Sequence, residues 1–286
     1  MGMNRARIGR EYPPTTHTVD ASAAERYARA INEDNPCFLD ASRPGGVVAP
    51  PLFGVVIAAR AVAQAVGDRE LDIDFPYALH GEQDMEFLAP LRAGDEISTS
   101  ARIEAIEAKE TGETLTVRLE LRSAVGEPVQ RHRFVLFVRA RTGKSARERE
   151  KGAPRGGSSA GSPTAVVVQR MDLDQARRYA EASGDRTPIH LDESVAKKAG
   201  LPGVIVHGLC TLAFASKAAT DSLCAGDPRR LRRVGVRFAR PVRPGQELTT
   251  RFSEAGRENG SRVFVFDMRN SEDVPVLTAG ICEVRP

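Results

Sequence analysis

The chain carries its own pattern twice. Residues 27–40 return as residues 179–192, with Tyr27/Tyr179, Ala28/Ala180, Pro36/Pro188, Leu39/Leu191 and Asp40/Asp192 in register. Residues 47–52 then match residues 204–209, and residues 85–94 match residues 236–245. Three blocks in the same order at near-constant spacing are the mark of a duplicated unit. Two units of roughly 140 residues are ordinary domain sizes and fill the 286-residue chain. The expected division is a first copy at 1–140, a linker at 141–163 and a second copy at 164–286. The linker combines a charged run at 144–151 with a Gly- and Ser-rich stretch ending at Pro163, which predicts a flexible, solvated connection.

Each copy reads alike. In the second, Asp172 is placed to cap a helix over 173–183, with Gln175 at the capping-box position and Gly184 as the stop. An apolar helix follows over 208–223, hydrophobic on nearly every side and therefore expected to be buried all round. Strands enriched in β-branched and aromatic residues come next, over 234–239, 247–254, 262–269 and 276–284. The first copy supplies an apolar helix over 52–66 and strands over 85–88, 96–107, 114–122 and 129–139. A buried helix followed by antiparallel strands predicts a sheet wrapped around that helix.

Composition removes several function classes. Lys and Arg number 41 against 38 Asp and Glu, a net charge of +3, which makes no field for a polyanion. Aromatics are 5% of residues, too few for base-stacking surfaces. Cys37, Cys210, Cys224 and Cys282 form no CxxC pair and none has a His at zinc-ligand spacing, so reduced thiols in a cytoplasmic protein are expected. Residues 1–11 are basic and lack the apolar core of a signal peptide. The most apolar run, 47–59, contains Pro50 and Pro51 and stops at Arg60, too short to span a bilayer. Neither nucleic acid nor membrane is an expected partner. A phosphate-cradling glycine loop, a nucleophile elbow and a dinucleotide fingerprint are all missing from the sequence.

The chemistry concentrates in Ser183-Gly184-Asp185-Arg186-Thr187-Pro188-Ile189-His190 and Val206-His207-Gly208-Leu209. Asp185 and His190, held between a helix-stopping Gly and a stiffening Pro, make a compact acid/base pair able to hand a proton both ways through one water. Gly208 opens the buried helix, where its N–H points outward with the positive end of the helix dipole. A thioester oxygen resting there gains roughly 3–4 kcal/mol as enolate charge develops. His207 is read as shaping the turn before that helix, and His80 likewise as structural. Asp185, His190 and His207 nominally suit a metal, but no fourth-ligand pattern accompanies them and none is expected. Arg229, Arg230, Arg232 and Arg233 are candidates for gripping substrate phosphates, with a solvated basic face as the alternative.

Gly184-Asp185-x-x-Pro188-x-His190 followed by His207-Gly208-Leu209 resembles the motif of the MaoC-like (R)-specific enoyl-CoA hydratases, a group that includes the type-2 hydratase part of peroxisomal multifunctional enzymes. The resemblance spans most of the chain and includes His80-Gly81-Glu82-Gln83. It implies an α+β double hot-dog: two tandem copies of an antiparallel sheet around a long buried helix. It also implies a hydro-lyase without metal or redox cofactor, in which Asp185 and His190 activate water for syn addition to a trans-2-enoyl-CoA. Gly208 falls on the family's oxyanion glycine, and a homodimer of two-copy chains is the family expectation. Thr187 stands where the family usually has Asn; its hydroxyl still donates and accepts, with a shorter reach. In the first copy the matching positions are Glu33, Phe38 and Pro51. Phe38 cannot transfer a proton and Pro51 has no N–H, so one active site per chain is expected. The competing readings are a 3-hydroxyacyl dehydratase acting on acyl-carrier protein in fatty-acid or polyketide synthesis, and a catalytically weak acyl-thioester-binding subunit. A hot-dog thioesterase is less favoured.

Overall fold

The computed structural model describes residues 2–43, 46–141 and 162–286; most of the expected linker lies outside the described residues. The first copy runs β1 (Glu11–Thr18), α1 (Ala21–Ala30), a short α2 (Pro36–Leu39), α3 (Gly54–Val66), β2 (Ala78–Phe87), β3 (Glu96–Lys109), β4 (Gly112–Ser123) and β5 (Pro128–Arg139). The second runs β6 (Ala165–Arg170), α4 (Gln175–Ser183), α5 (Glu193–Lys198), α6 (Gly208–Leu223), β7 (Leu231–Phe238), β8 (Glu247–Glu258), β9 (Ser261–Asn270) and β10 (Pro275–Val284).

The ten strands of the described residues form one sheet in the order β1-β3-β4-β5-β2-β7-β10-β9-β8-β6. The halves join where β2 pairs antiparallel with β7, Glu82 opposite Arg237, Asp84 opposite Gly235 and Glu86 opposite Arg233. This register is self-mating: the repeat spacing of 151 residues carries Glu82 onto Arg233 and Glu86 onto Arg237, so a pseudo-twofold axis passes through the Asp84–Gly235 pair. Arg233 binds Asp84 at 2.9 Å and Glu283 at 3.1 Å, and Arg237 binds Glu82 at 2.9 Å, pinning the seam. The repeat mates Tyr27 and Tyr179 also meet across the axis, rings 5.6 Å apart and hydroxyls at 3.5 Å. A sheet backed by α3 in one half and α6 in the other is the double hot-dog.

The bounds of α6 are those its sequence dictates. Cys210, Leu212, Phe214 and Leu223 bury the larger side chains, while Ala213, Ala215, Ser216 and Ala218 let strands approach the remaining faces. Three differences from sequence expectation have physical causes. First, α4 starts at Gln175 rather than 173, because Gln175 Oε1 accepts the Asp172 N–H at 3.2 Å and its amide donates to the Ala30 carbonyl of the other copy. The Gln175 half of the expected capping box is thus made, and the other end of the same amide adds a contact between the copies. Second, β1 and β6 were not expected as strands; both lie at the sheet's edges, where Pro13 and Pro14 are tolerated beside a register shift. Third, β2 begins at Ala78, seven residues earlier than the expected 85, since Ala78, Leu79 and His80 pair with β5 and the polar Glu82 and Gln83 pair on both sides.

Candidate active site

Gly184 ends α4 in the left-handed region, φ +79°, a conformation that suits glycine. The chain then turns so that the Asp185 Oδ1 accepts from the Thr187 N–H at 3.0 Å and from its hydroxyl at 2.6 Å. This leaves Oδ2 without a hydrogen-bond partner among the described residues, and Asp185 is solvent-accessible. Desolvation pushes its carboxyl upward, but the two Thr187 hydrogen bonds and the neighbouring imidazoles of His207 and His190 outweigh it, and the group is held below the ordinary carboxylate range. Thr187 therefore acts on the carboxylate directly.

Pro188 starts a 3-10 turn that ends on His190, which is 9% exposed. Its Nδ1–H donates to the Ile205 carbonyl at 2.8 Å. The neutral ring consequently presents an unprotonated Nε2. Burial lowers its pKa below the ordinary 6.5, against the pull of the Ile205 carbonyl and Asp185. His207, 2% exposed, donates its Nε2–H to the Asp185 backbone carbonyl at 2.9 Å. Its ring stacks on His190, centroids 3.7 Å apart at 26°, and leans on Tyr179 at 4.9 Å. Burial and the adjacent His190 push its pKa down to about 4, so at neutral pH the two rings stack without charge.

Donor atoms of Asp185, His190 and His207 all lie within 4.8 Å of one another. The near-parallel stack is a poor metal cradle: imidazole lone pairs lie in the ring plane and run side by side instead of converging.

The Val206–Val242 bridge fixes the entry to α6. Gly208 is its first residue and no side chain among the described residues caps the helix, leaving the orphan N–H groups of the first turn for a ligand. A Cβ at Gly208 would lie 3.1 Å from Phe238 ring atoms. The site thus places a carboxylate with one free oxygen, an imidazole nitrogen with its lone pair and an uncapped helix N-terminus together.

The first copy holds different chemistry at the matching places. Glu33 Oε1 accepts the N–H groups of Asp34 and Asn35, each at 3.1 Å, and binds Lys217 of α6 at 3.2 Å. Lys217 also reaches Asp34 at 2.6 Å and Asp221 at 3.0 Å. Burial raises the Glu33 pKa against the pull of Lys217, while Lys217 itself is pushed up by its carboxylates against its own desolvation. Phe38 is buried with Ala28 and Val48, and Pro51 opens a short turn. This lysine ties the second copy's helix into the first copy's loop, a pairing no local pattern announces. Lys217→Met should cost about 3 kcal/mol by leaving Glu33 buried and uncompensated, and Glu33→Gln placed on top should recover part of it. Chemical denaturation of the single and double variants measures both.

The arginine run is not brought to Asp185. Arg233 is committed to the seam, Arg232 lies 3.6 Å from Glu283, Arg229 binds Asp227 at 2.8 Å, and Arg230 donates to the Arg285 and Cys224 carbonyls. The run starts at the far end of β7 from Phe238, and Arg229 lines a cleft with Val48, Pro51 and Phe87 of the first copy.

Two tandem hot-dogs, with a carboxylate and an imidazole beside an uncapped helix N-terminus, have the fold and arrangement of a class, the double hot-dog dehydratases. Residues 157–275 match the model of the MaoC like domain, and residues 6–132 match the FAS1-like, dehydratase domain region. A probable enoyl-CoA hydratase 2 of Dictyostelium discoideum is 27% identical over 239 residues, 82% of this chain and 80% of that protein. The peroxisomal enoyl-CoA hydratase 2 of Arabidopsis thaliana is 32% identical over 218 residues, 72% of this chain and 68% of its own length. The crystal structure of a MaoC-like dehydratase from Phytophthora capsici superposes with a TM-score of 0.83 at 25% identity, covering 98% of this chain and 97% of that one. The chain belongs to the MaoC-like dehydratase family.

Proposed function

We propose that the chain hydrates trans-2-enoyl-CoA reversibly to (R)-3-hydroxyacyl-CoA, with one active site in its second copy. The observation that carries this reading is the His190 tautomer: the Nδ1–H is committed to Ile205, so Nε2 is left to take a proton beside the free oxygen of Asp185. In the proposed reaction one water is held between the two groups, whose ligand atoms lie within 4.8 Å of each other. As its oxygen bonds to C3 of the enoyl chain, the pair takes a proton, and a proton is delivered to C2 from the same face. Addition is therefore syn. The charge that moves onto the thioester oxygen is met by the Gly208 N–H. Thr187 supports Asp185, and His207 supports both residues from behind. A panel of trans-2-enoyl-CoA thioesters of increasing length tests the reading through loss of enoyl absorbance; flat absorbance across the panel would exclude it.

The pH profile follows from the directions of the shifts. Activity needs ionised Asp185 and neutral His190, and both pKa values lie below ordinary. Turnover should thus hold as pH falls to 6.5 and decline only below it, as His190 gains a proton. An acid limb centred above 6.5 in kcat/KM would contradict the assignment.

The match of residues 6–132 to a FAS1-like dehydratase region supports a second reading, dehydration of 3-hydroxyacyl groups on acyl-carrier protein. Comparing turnover on CoA and carrier-protein thioesters separates the two. Among the described residues no helix is long and apolar enough to cross a membrane. The proposal includes a homodimer in the cytoplasm that works without metal or redox cofactor; sedimentation and activity after chelation test the first and last of these.

A further inference from the structure

The first copy is not a bystander at this site. In β2 the pairing with β5 slips between His80 and Glu82. A Cβ on Gly81 would crowd Phe137 Cβ at 3.3 Å. A bulge of this kind re-aims the side chain beside it, and here it turns His80 between two aromatic rings. The ring centroids lie 4.4 Å from Phe134 and 4.8 Å from Phe238. His80 Nε2–H donates to the Glu82 carbonyl at 3.1 Å, which fixes the rotation of the imidazole. All three rings are half-buried, and the two phenylalanines pack against the edge of the core. Phe238 is the ring that crowds Gly208.

The repeat provides an internal control. The mate of Phe238, 151 residues earlier, is Phe87, and the mate of His80, 151 residues later, is Leu231. The wall phenylalanine is present in both copies, whereas the histidine faces only the pocket that keeps Asp185 and His190.

We propose that His80 is a positioning residue of the active site: clamped by the bulge at Gly81, it stacks on Phe238 and sets the place of the ring that walls the Gly208 amide. This rests on the hydratase reading for its kinetics but not for its geometry. Burial pushes the His80 pKa down to about 4 against the pull of Glu82, Gln83 and Asp185, so the ring works as an uncharged slab and not as a proton carrier. A thioester carbonyl then meets the helix N-terminus against a fixed surface. Misplacement near 1 Å at such a surface costs up to about 10²-fold in rate.

The test uses the full chain with His80→Ala, His80→Phe and Phe238→Leu, each checked for thermal unfolding. His80→Ala should lower kcat at least tenfold while KM for an enoyl-CoA moves less than about threefold. His80→Phe should return to within about threefold of the parent, with the limbs of the pH profile unmoved, because stacking survives without the imidazole. Phe238→Leu should reproduce the kcat loss and serves if His80→Ala does not fold. Parent-like kcat in folded His80→Ala or in Phe238→Leu overturns the proposal. So does a His80→Phe variant as slow as His80→Ala, or one with a displaced acid limb. A crystal structure of His80→Ala, or of His80→Phe should the former not fold, reads the wall without turnover. Phe238 should leave Gly208 in the first and stay in the second; the reverse contradicts the proposal even if the parent hydrates nothing.

Discussion

Gly208→Pro is expected to fold normally and to lose about 10²–10³-fold in kcat, the effect of removing one oxyanion donor. The protein already carries this substitution in its first copy, where Pro51 stands at the same place. His207 has φ −58° and ψ 138°, and its counterpart Pro50 has φ −52° and ψ 144°. Both are extended conformations that accept a following proline, and proline is at home in the first position of a helix. The backbone is therefore prepared for the change, and the missing N–H is its main chemical consequence. Phe238 has to yield a few tenths of an ångström to the new ring atoms, since a Cβ would lie at 3.1 Å. Gly208→Ala isolates that crowding, because it adds the Cβ and keeps the N–H. The proline variant should be at least tenfold slower than the alanine variant. Equal rates for the two would remove Gly208 from the oxyanion role.

The second large effect belongs to the acid/base pair. His190→Ala and Asp185→Asn should each reduce kcat by about 10²–10⁴-fold. They act on one proton transfer, so the double variant should be little worse than the slower single one. Asp185→Asn preserves an acceptor for the Thr187 hydrogen bonds but cannot take a proton, which separates chemistry from loop structure. His190→Ala also removes the face on which His207 stacks, so its thermal stability should fall with its activity. Steady-state kinetics beside thermal unfolding distinguishes the two contributions.

The repeat makes most of this fold legible in the sequence. The spacing of Tyr27 and Tyr179 announced two copies, and the apolar run from Gly208 to Leu223 gave a helix with its bounds intact. The Asp185–His190 pair could be read because its parts lie within six residues and depend on local turn chemistry. What stayed hidden depends on partners far along the chain. Gln175 reaches Ala30, Lys217 seeks Glu33, and Arg233 is used up at the seam by Asp84 and Glu283. From the sequence His80 reads only as a structural histidine, and the bulge beside it belongs to the pairing of β2 with β5. Nothing local says that the bulge turns it toward a phenylalanine in the other copy. Edge strands such as β1, with Pro13 and Pro14, break the alternation that identifies strands in a sheet interior.

The most direct test of a single hydratase site in the second copy is enoyl absorbance with chiral analysis of the product. The parent chain should consume trans-2-enoyl-CoA and yield (R)-3-hydroxyacyl-CoA, and His190→Ala should leave the absorbance nearly constant. Flat absorbance with the parent, an (S) product, or parent-like turnover in His190→Ala would contradict the account.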